Sequence, residues 1–228
     1  MRAALIIPAL NEQESIPRVL AGVPPGLVHE QIVVDNGSTD GTGDAARGAG
    51  ARVVREDRQG YGYACAAGAA AADPACDVLV FMDGDGSDDA GQMAALLAPL
   101  EKGRADLALG SRTMGEAARG ALLPHQRLGN ALTTGLVRLL YRRQVTDLPP
   151  FKAIRRAVLD ELHMREMTYG WTVEMIVKCA RRGLRIVEIP VTARPRIGGR
   201  SKVSGTIKGT VLAAAYMLGT TFRYAWKD

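Results

Sequence analysis

Five short apolar runs in the first 112 residues each pass into polar residues, and this punctuation limits the folds open to the chain. Ala3 to Pro8, Gln31 to Asp35, Arg52 to Arg55, Val78 to Met82 and Leu107 to Arg112 read as strands. Between them lie helical stretches: one around Ser15 to Gly22, one running to Gly48, an alanine-rich one opened by Gln59-Gly60-Tyr61-Gly62-Tyr63, and one from Gly91 to Lys102. Strands alternating with helices predict an α/β domain with a mostly parallel sheet, whose ligands gather at the strands' C-terminal ends. Asn11, Asp35, Asp83 and Arg112 all fall at such ends.

The most demanding of these ends is Val80-Phe81-Met82-Asp83-Gly84-Asp85-Gly86-Ser87-Asp88-Asp89. A strand of Val and Phe leaves little room for charge, so Asp83 and Asp85 need a reason to be close. A divalent cation bridging to a phosphorylated ligand is one reason, because hard cations take oxygen ligands. An acidic turn leading into a helix cap is the other, because Asp and Gly are common turn residues. These ten residues alone leave both open.

Length and composition narrow the class. A chain of 228 residues with 47% hydrophobic and 23% charged residues suits one globular domain with an appendage. Cys65, Cys76 and Cys179 have no metal spacing and an odd count, which fits reduced, buried thiols. The opening residues, soon broken by Pro8, read as a first strand and not as a signal peptide. Net charge is +5, but through Gly110 there are 8 Lys and Arg against 16 Asp and Glu, and beyond it 21 against 8. The basic half points to phosphates or an anionic membrane surface. With aromatics at 5%, a stacking platform for single-stranded nucleic acid is poorly supplied, so no nucleic-acid partner is expected.

After Arg112 the alternation stops. Pro124 to Arg143 reads as a helix with Leu128, Leu132, Leu136, Leu139 and Leu140 on roughly one face and arginines around it. Thr146 to Lys152 reads as a rigid connector, Gly170 to Gly183 as a helix, Arg185 to Val191 as a strand, and Arg194 to Lys202 as a mobile basic loop. Gly205 to Trp226 is mostly apolar, but the run between Lys208 and Arg223 is only 14 residues. That is short of the roughly 20 residues that span a bilayer. It predicts an interfacial helix or a terminal helix packed on the chain's own core. The glycine fingerprint of a dinucleotide site is missing after the first strand, where Pro8-Ala9-Leu10-Asn11 stands, and so is a Walker lysine motif.

What remains is an ordered set: Pro8-Ala9-Leu10-Asn11-Glu12, Val34-Asp35-Asn36-Gly37-Ser38-Thr39-Asp40-Gly41-Thr42, Asp83-Gly84-Asp85 and Gly110-Ser111-Arg112. Together these motifs resemble the family-2 glycosyltransferases of the GT-A fold, within them the polyprenyl-phosphate and dolichyl-phosphate sugar synthases. The resemblance covers essentially the whole chain. It implies one glycosyltransferase domain over 1–228. Residues 1–112 would bind nucleotide sugar and metal, 113–204 would form an acceptor half with a mobile loop at 194–204, and 205–228 an apolar C-terminal helix. It implies that Asp35 hydrogen-bonds the base or ribose, with Pro8, Leu10 and Glu12 lining that pocket. Asp83, Gly84 and Asp85 would flank the diphosphate, the two carboxylates holding Mg2+ or Mn2+. Arg112, Arg196 and Lys202 would neutralise the departing diphosphate, as cations aimed at developing charge do. Gly198 and Gly199 would be the hinge of the closing loop. For Asp88 and Asp89 a capping role is expected. Ser87 departs from the glutamine that lipid-phosphate mannose synthases often carry there, and Asn36 from a second aspartate, which bear on metal affinity and on base and sugar preference.

The expected reaction is an inverting transfer of a hexose, from a GDP-mannose or UDP-glucose type of donor, to a polyprenyl or dolichyl phosphate. A sugar hydroxyl acceptor needs a general base. A phosphomonoester, with a second pKa of roughly 6, does not. Asp147 and Glu174 are the candidates for such a base, with Glu174 expected on a helix surface. Arg127 is the candidate contact to the acceptor phosphate. Transfer to a soluble or cell-envelope glycan hydroxyl is the alternative, and a non-catalytic nucleotide-sugar-binding subunit of a membrane complex is the alternative of another class. The expected place is the cytoplasm, peripheral on the cytoplasmic face of a membrane, with a membrane-protein partner as a further expectation.

Overall fold

In a computed structural model, which describes residues 1–116, 118, 124–198 and 207–226, the chain forms an α/β sandwich around one seven-stranded sheet. In chain order the elements are β1 (Ala3–Ala9), α1 (Ile16–Ala21), β2 (Glu30–Asp35), α2 (Thr42–Gly48), β3 (Arg52–Arg55), α3 (Tyr61–Ala71), β4 (Val78–Phe81), α4 (Met93–Glu101), β5 (Leu107–Ser111), α5 (Pro124–Tyr141), β6 (Lys152–Arg155), α6 (Arg156–Leu162), α7 (Trp171–Arg181), β7 (Ile186–Pro190) and α8 (Ile207–Trp226). The strand order is β3-β2-β1-β4-β6-β5-β7. β1 to β4 run parallel, β6 is antiparallel to both neighbours, and β7 is parallel to β5.

The apolar runs are buried on both faces, and their side chains divide with the two-residue period of a strand. Leu5, Ile7, Val33, Val78 and Val80 enter the core layer beneath α1 and α4. Ala4, Ile6, Ile32, Val34, Leu79 and Phe81 enter the opposite layer, against α3 and α7. The small side chains of α3 let its backbone approach the sheet closely. A Cβ on Gly68 would collide with Ile6 Cγ2, and one on Gly62 would stand 2.6 Å from the Met167 backbone. Gly62→Ala is expected to cost about 1–3 kcal/mol, because backbone cannot yield as a flexible side chain does. A thermal melt of that variant indistinguishable from wild type would contradict this packing.

One stretch falls differently from the sequence expectation, and two are sharpened by the structure. The connector ends in β6, whose Lys152 pairs in register with Phe81 of β4, and α6 follows it directly. Four residues with a buried lysine at the start give no alternation to read. In α5, Leu128, Leu132 and Leu139 point outward at 62%, 55% and 73% exposure, while Thr133, Thr134 and Val137 are buried. Three of the five leucines therefore face away from the core, while Leu136 and Leu140 are half-buried. For α8, the core-packing reading holds for the C-terminal part: it packs on α5 and α7, with Thr220 and Thr221 buried. Among the described residues, no helix is long and apolar enough to cross a membrane. The three cysteines are free and buried.

Candidate active site

The ends of β1, β2, β4 and β5 lie on one edge of the sheet, and the antiparallel β6 brings its first residue, Lys152, to the same edge. The first two ends are tied together by their loops. Asn11 adopts a left-handed φ of 54° and accepts from the Thr39 N–H at 2.8 Å, and the Glu12 N–H donates to Thr42 Oγ1 at 2.8 Å. Asp40, two residues before α2, accepts from the Thr42 N–H at 3.0 Å.

A cavity of about 380 Å³ opens over these ends. Pro8, Leu10 and Glu12 line it from β1, Asp83, Gly84 and Asp85 from β4, and Arg196 from the loop after β7. Seven residues singled out in the sequence thus share one wall. Asp35 stands beside it. Its carboxylate accepts from the Ser38 N–H and from Arg55 Nη1, both at 2.8 Å, and these bonds outweigh burial to lower its pKa. The wall is instead supplied by Asn36, whose amide donates to the Glu56 and Arg58 carbonyls and accepts from the Gly60 N–H. Gln59, Gly60, Tyr61, Thr168 and Tyr169 complete it. The glycine-flanked tyrosine at the start of α3 was legible only as a helix opening. Thr168 and Tyr169 carried no signal.

Asp83, Asp85 and Asp88 form one acidic group, with Asp88 buried and Asp83 and Asp85 half-buried at the cavity wall. Burial first, and then the charges of Asp85 and Asp88, raise the Asp83 pKa well above the usual carboxylate range. Burial raises Asp88 to about 6, against the pull of Arg112 and the Asp83 N–H. Asp88 therefore belongs to the acidic group and is not a cap. Asp89 caps the 3-10 turn before α4, accepting from the Gly91 N–H, and pairs with Arg194 at 2.6 Å. The Asp83 carboxylate has no hydrogen bond or ion pair among the described residues. No cluster of three or more Asp, Glu, His or Cys side chains with metal-site geometry occurs among the described residues. Two converging carboxylates, one unpartnered and raised by like charge, fit a magnesium-like ion that takes its other ligands from phosphate and water.

Arg196 bridges this group to β1. Its guanidinium pairs with Glu12 at 2.7 Å and lies 3.7 Å from Asp85, while the Ile197 N–H donates to the Asp85 carbonyl at 2.9 Å. Burial raises the Glu12 pKa, and Arg196 opposes the rise. The described part of the basic loop is thus docked on the acidic loop. Gly199, Arg200, Ser201 and Lys202 lie outside the described residues, so the expectations for Lys202 and for the hinge at Gly199 fall there.

Arg112 lines a second cavity, of about 590 Å³, with Arg127, Asn130, Thr134, Arg138 and Thr146. Asp147 holds it in a fork, accepting from Arg112 Nε at 2.8 Å and Nη2 at 2.9 Å, and also from its backbone N–H at 2.8 Å. Burial alone would lower the Arg112 pKa, but Asp147 outweighs it, with further support from Asp88 and Asp83. Arg112 therefore stands between the cavities, its charge felt in the acidic group and its side chain in the second wall. Neither carboxylate named as a base is free. Glu174 is fully buried, not on the surface; it accepts from the Arg165 and Glu166 N–H groups and Tyr224, and pairs with Lys178 at 2.7 Å.

Sheet order, strand-end cavity and acidic loop define an α/β class that gathers its ligand at the strand ends, and comparison with known proteins narrows it. The profile of "Glycosyl transferase family 2" matches residues 4–163. The chain belongs to that family of glycosyltransferases. It is 40% identical over 210 residues to an uncharacterized glycosyltransferase of Mycobacterium tuberculosis, covering 92% of this chain and 93% of that one. It is 34% identical over 245 residues to the undecaprenyl-phosphate mannosyltransferase of Micrococcus luteus, covering 98% and 96%. Among solved structures, glucosyl-3-phosphoglycerate synthase from Mycobacterium tuberculosis in complex with Mn2+, UDP-glucose and phosphoglyceric acid superimposes with a TM-score of 0.80. That alignment has 23% identity and covers 100% of this chain and 80% of the other, which establishes the GT-A fold.

Proposed function

We propose that this glycosyltransferase moves a hexose from a nucleotide-diphosphate sugar to a polyprenyl phosphate in one inverting displacement. The observation that carries the reading is the second cavity: three arginines, Arg112, Arg127 and Arg138, line it, and its one carboxylate, Asp147, is spent on Arg112. Such a cavity suits an anionic nucleophile that needs no base, and a phosphomonoester is largely dianionic near neutral pH. In this reading the donor lies in the 380 Å³ cavity with its diphosphate toward Asp83 and Asp85. A divalent ion held by those two carboxylates would supply charge neutralisation of the diphosphate. Arg112 and Arg127 orient the acceptor phosphate, one oxygen of which attacks the anomeric carbon opposite the leaving diphosphate. Arg196, released from Glu12, and Lys202 follow the charge that builds on that diphosphate. The names of the Micrococcus relative and of a polyprenol monophosphomannose synthase of Mycolicibacterium smegmatis, 33% identical over 220 residues, favour a lipid phosphate.

The outward leucines give the lipid reading a surface. Leu128, Leu132 and Leu139 form an exposed stripe beside Arg127, Arg138, Arg142 and Arg143, the pattern of a helix that rests on an anionic membrane. Leu132→Glu with Leu139→Glu should weaken binding to phosphatidylglycerol vesicles by about tenfold or more, since each buried leucine is worth ~1.5–3 kcal/mol. Sedimentation with vesicles measures this, and unchanged binding would remove the stripe from the reading.

A second reading has its own support: the structural neighbour was solved in complex with phosphoglyceric acid, and an arginine-lined cavity also suits a small soluble phosphate. One assay separates the two. Purified protein receives labelled GDP-mannose or UDP-glucose with Mn2+ and either undecaprenyl phosphate in vesicles or 3-phosphoglycerate. Label in a butanol-extractable, mild-acid-labile lipid is the expected result. Label confined to a soluble product would replace the lipid reading with the second.

A further inference from the structure

Lys152 is fully buried at the mouth of the sheet, where the sequence read only a connector. It pairs in register with Phe81 of β4 and Leu109 of β5, two residues short of Asp83. Its ammonium donates to Thr172 Oγ1 at 3.0 Å, the Pro150 and Pro149 carbonyls at 3.1 and 3.3 Å, and the Tyr61 hydroxyl at 3.3 Å. The Tyr61 and Phe81 rings lie 5.4 and 5.7 Å from it. None of these partners is charged, and among the described residues it forms no ion pair. Burying an ammonium among neutral groups is costly unless opposite charge stands near. Burial lowers the Lys152 pKa, against the opposing pull of Cys65 and of two carboxylates, Asp83 and Asp88.

We propose that Lys152 is a positioning residue that acts as a fixed internal counter-cation, its ammonium locked by Tyr61, Thr172 and the Pro149-Pro150 carbonyls beneath the Asp83-Asp88 group. The consequence has a sign. Three carboxylates alone would attract a bare divalent cation strongly and repel a nucleoside diphosphate. A positive charge beneath them weakens the first attraction and relieves the second repulsion. The site is thereby balanced for cation and diphosphate together. Tyr61 also lines the donor cavity, so the same ammonium fixes one of its walls.

The proposal rests on the reading of Asp83 and Asp85 as the metal and diphosphate site, and its test separates the two. Calorimetry at one fixed pH, on the full chain, measures MnCl2 alone and then UDP and GDP in saturating Mn2+. For Lys152→Met, Mn2+ alone is expected to bind tighter by roughly threefold to tenfold, and the nucleotide that binds wild type to bind weaker by roughly tenfold or more. Lys152→Arg, which keeps the charge, should stay closer to wild type in both. Two affinities that are unchanged, or that weaken together, would show a merely structural lysine and overturn the proposal. Wild-type protein that binds neither Mn2+ nor nucleotide would overturn the site reading itself. If Lys152→Met does not fold, Lys152→Met with Asp88→Asn should restore a cooperative melt, and failure to do so counts against the charge pairing.

Discussion

Asp85→Ala is expected to lower sugar transfer by at least about a thousandfold while leaving the fold intact, the scale of the several kcal/mol that a bound cation contributes to a transferring phosphoryl group. The fold survives because Asp85 supports little of it. Among the described residues its carboxylate accepts only from the Ser87 N–H at 2.9 Å and lies at 3.7 Å from Arg196, while the Ile197 bond uses its backbone carbonyl. Removing it also takes one like charge from beside Asp83, which burial and that charge together raise. The variant should therefore melt no lower than wild type. Arg196 keeps its stronger partner, Glu12 at 2.7 Å, so the loop after β7 stays docked. Transfer assayed over a Mn2+ series decides the matter, with the chelated wild type expected to match the variant. Full transfer by Asp85→Ala in chelator would remove the metal role from both carboxylates.

The legibility of this site in the sequence follows chain distance. Pro8, Leu10, Glu12, Asp83, Gly84 and Asp85 could be assembled because each sits just past an apolar run, and parallel strands must bring such positions to one edge. Arg196 could be placed only through the family resemblance; the geometry behind it is a loop ladder, with the Arg194 N–H donating to the Ser87 carbonyl at 2.9 Å. Thr168 and Tyr169 reach the cavity over the strand ends because the Met167 backbone packs against Gly60 and Gly62, a contact between segments far apart in the chain. Lys152 was invisible for a different reason. A lysine after Pro149-Pro150-Phe151 reads as solvent-facing, and only the antiparallel insertion of β6 between β4 and β5 buries it. The leucines of α5 reversed the usual inference: a helical apolar period marks a sticky face, but the period does not say whether core or another surface covers it.

Asp147→Ala should lower stability by about 3–5 kcal/mol and transfer with it, because it leaves a buried cation without its partner. Asp147 is 1% exposed on its side chain, Arg112 is 20% exposed, and three of the carboxylate's bonds go to Arg112. For a chain of this size the loss corresponds to a fall in Tm of roughly 6–20 °C. The same carboxylate as a general base would behave differently. Asp147→Asn would then cut turnover by orders of magnitude, shift the pH profile of what remains and leave the melt nearly unchanged. Held as a clamp, Asp147→Asn keeps one acceptor oxygen, so stability and transfer should both fall part of the way and the shape of the pH profile should persist. A double variant separates the fold from the chemistry. Arg112→Met in the Asp147→Ala background removes the stranded charge, so it should recover a good part of the lost stability, as coupled partners do. It should recover no transfer if the guanidinium between the two cavities faces phosphate, as proposed. Recovery of transfer with stability would mean that Arg112 serves only the fold. A double variant no more stable than Asp147→Ala would mean that the ion pair is not what Asp147 contributes.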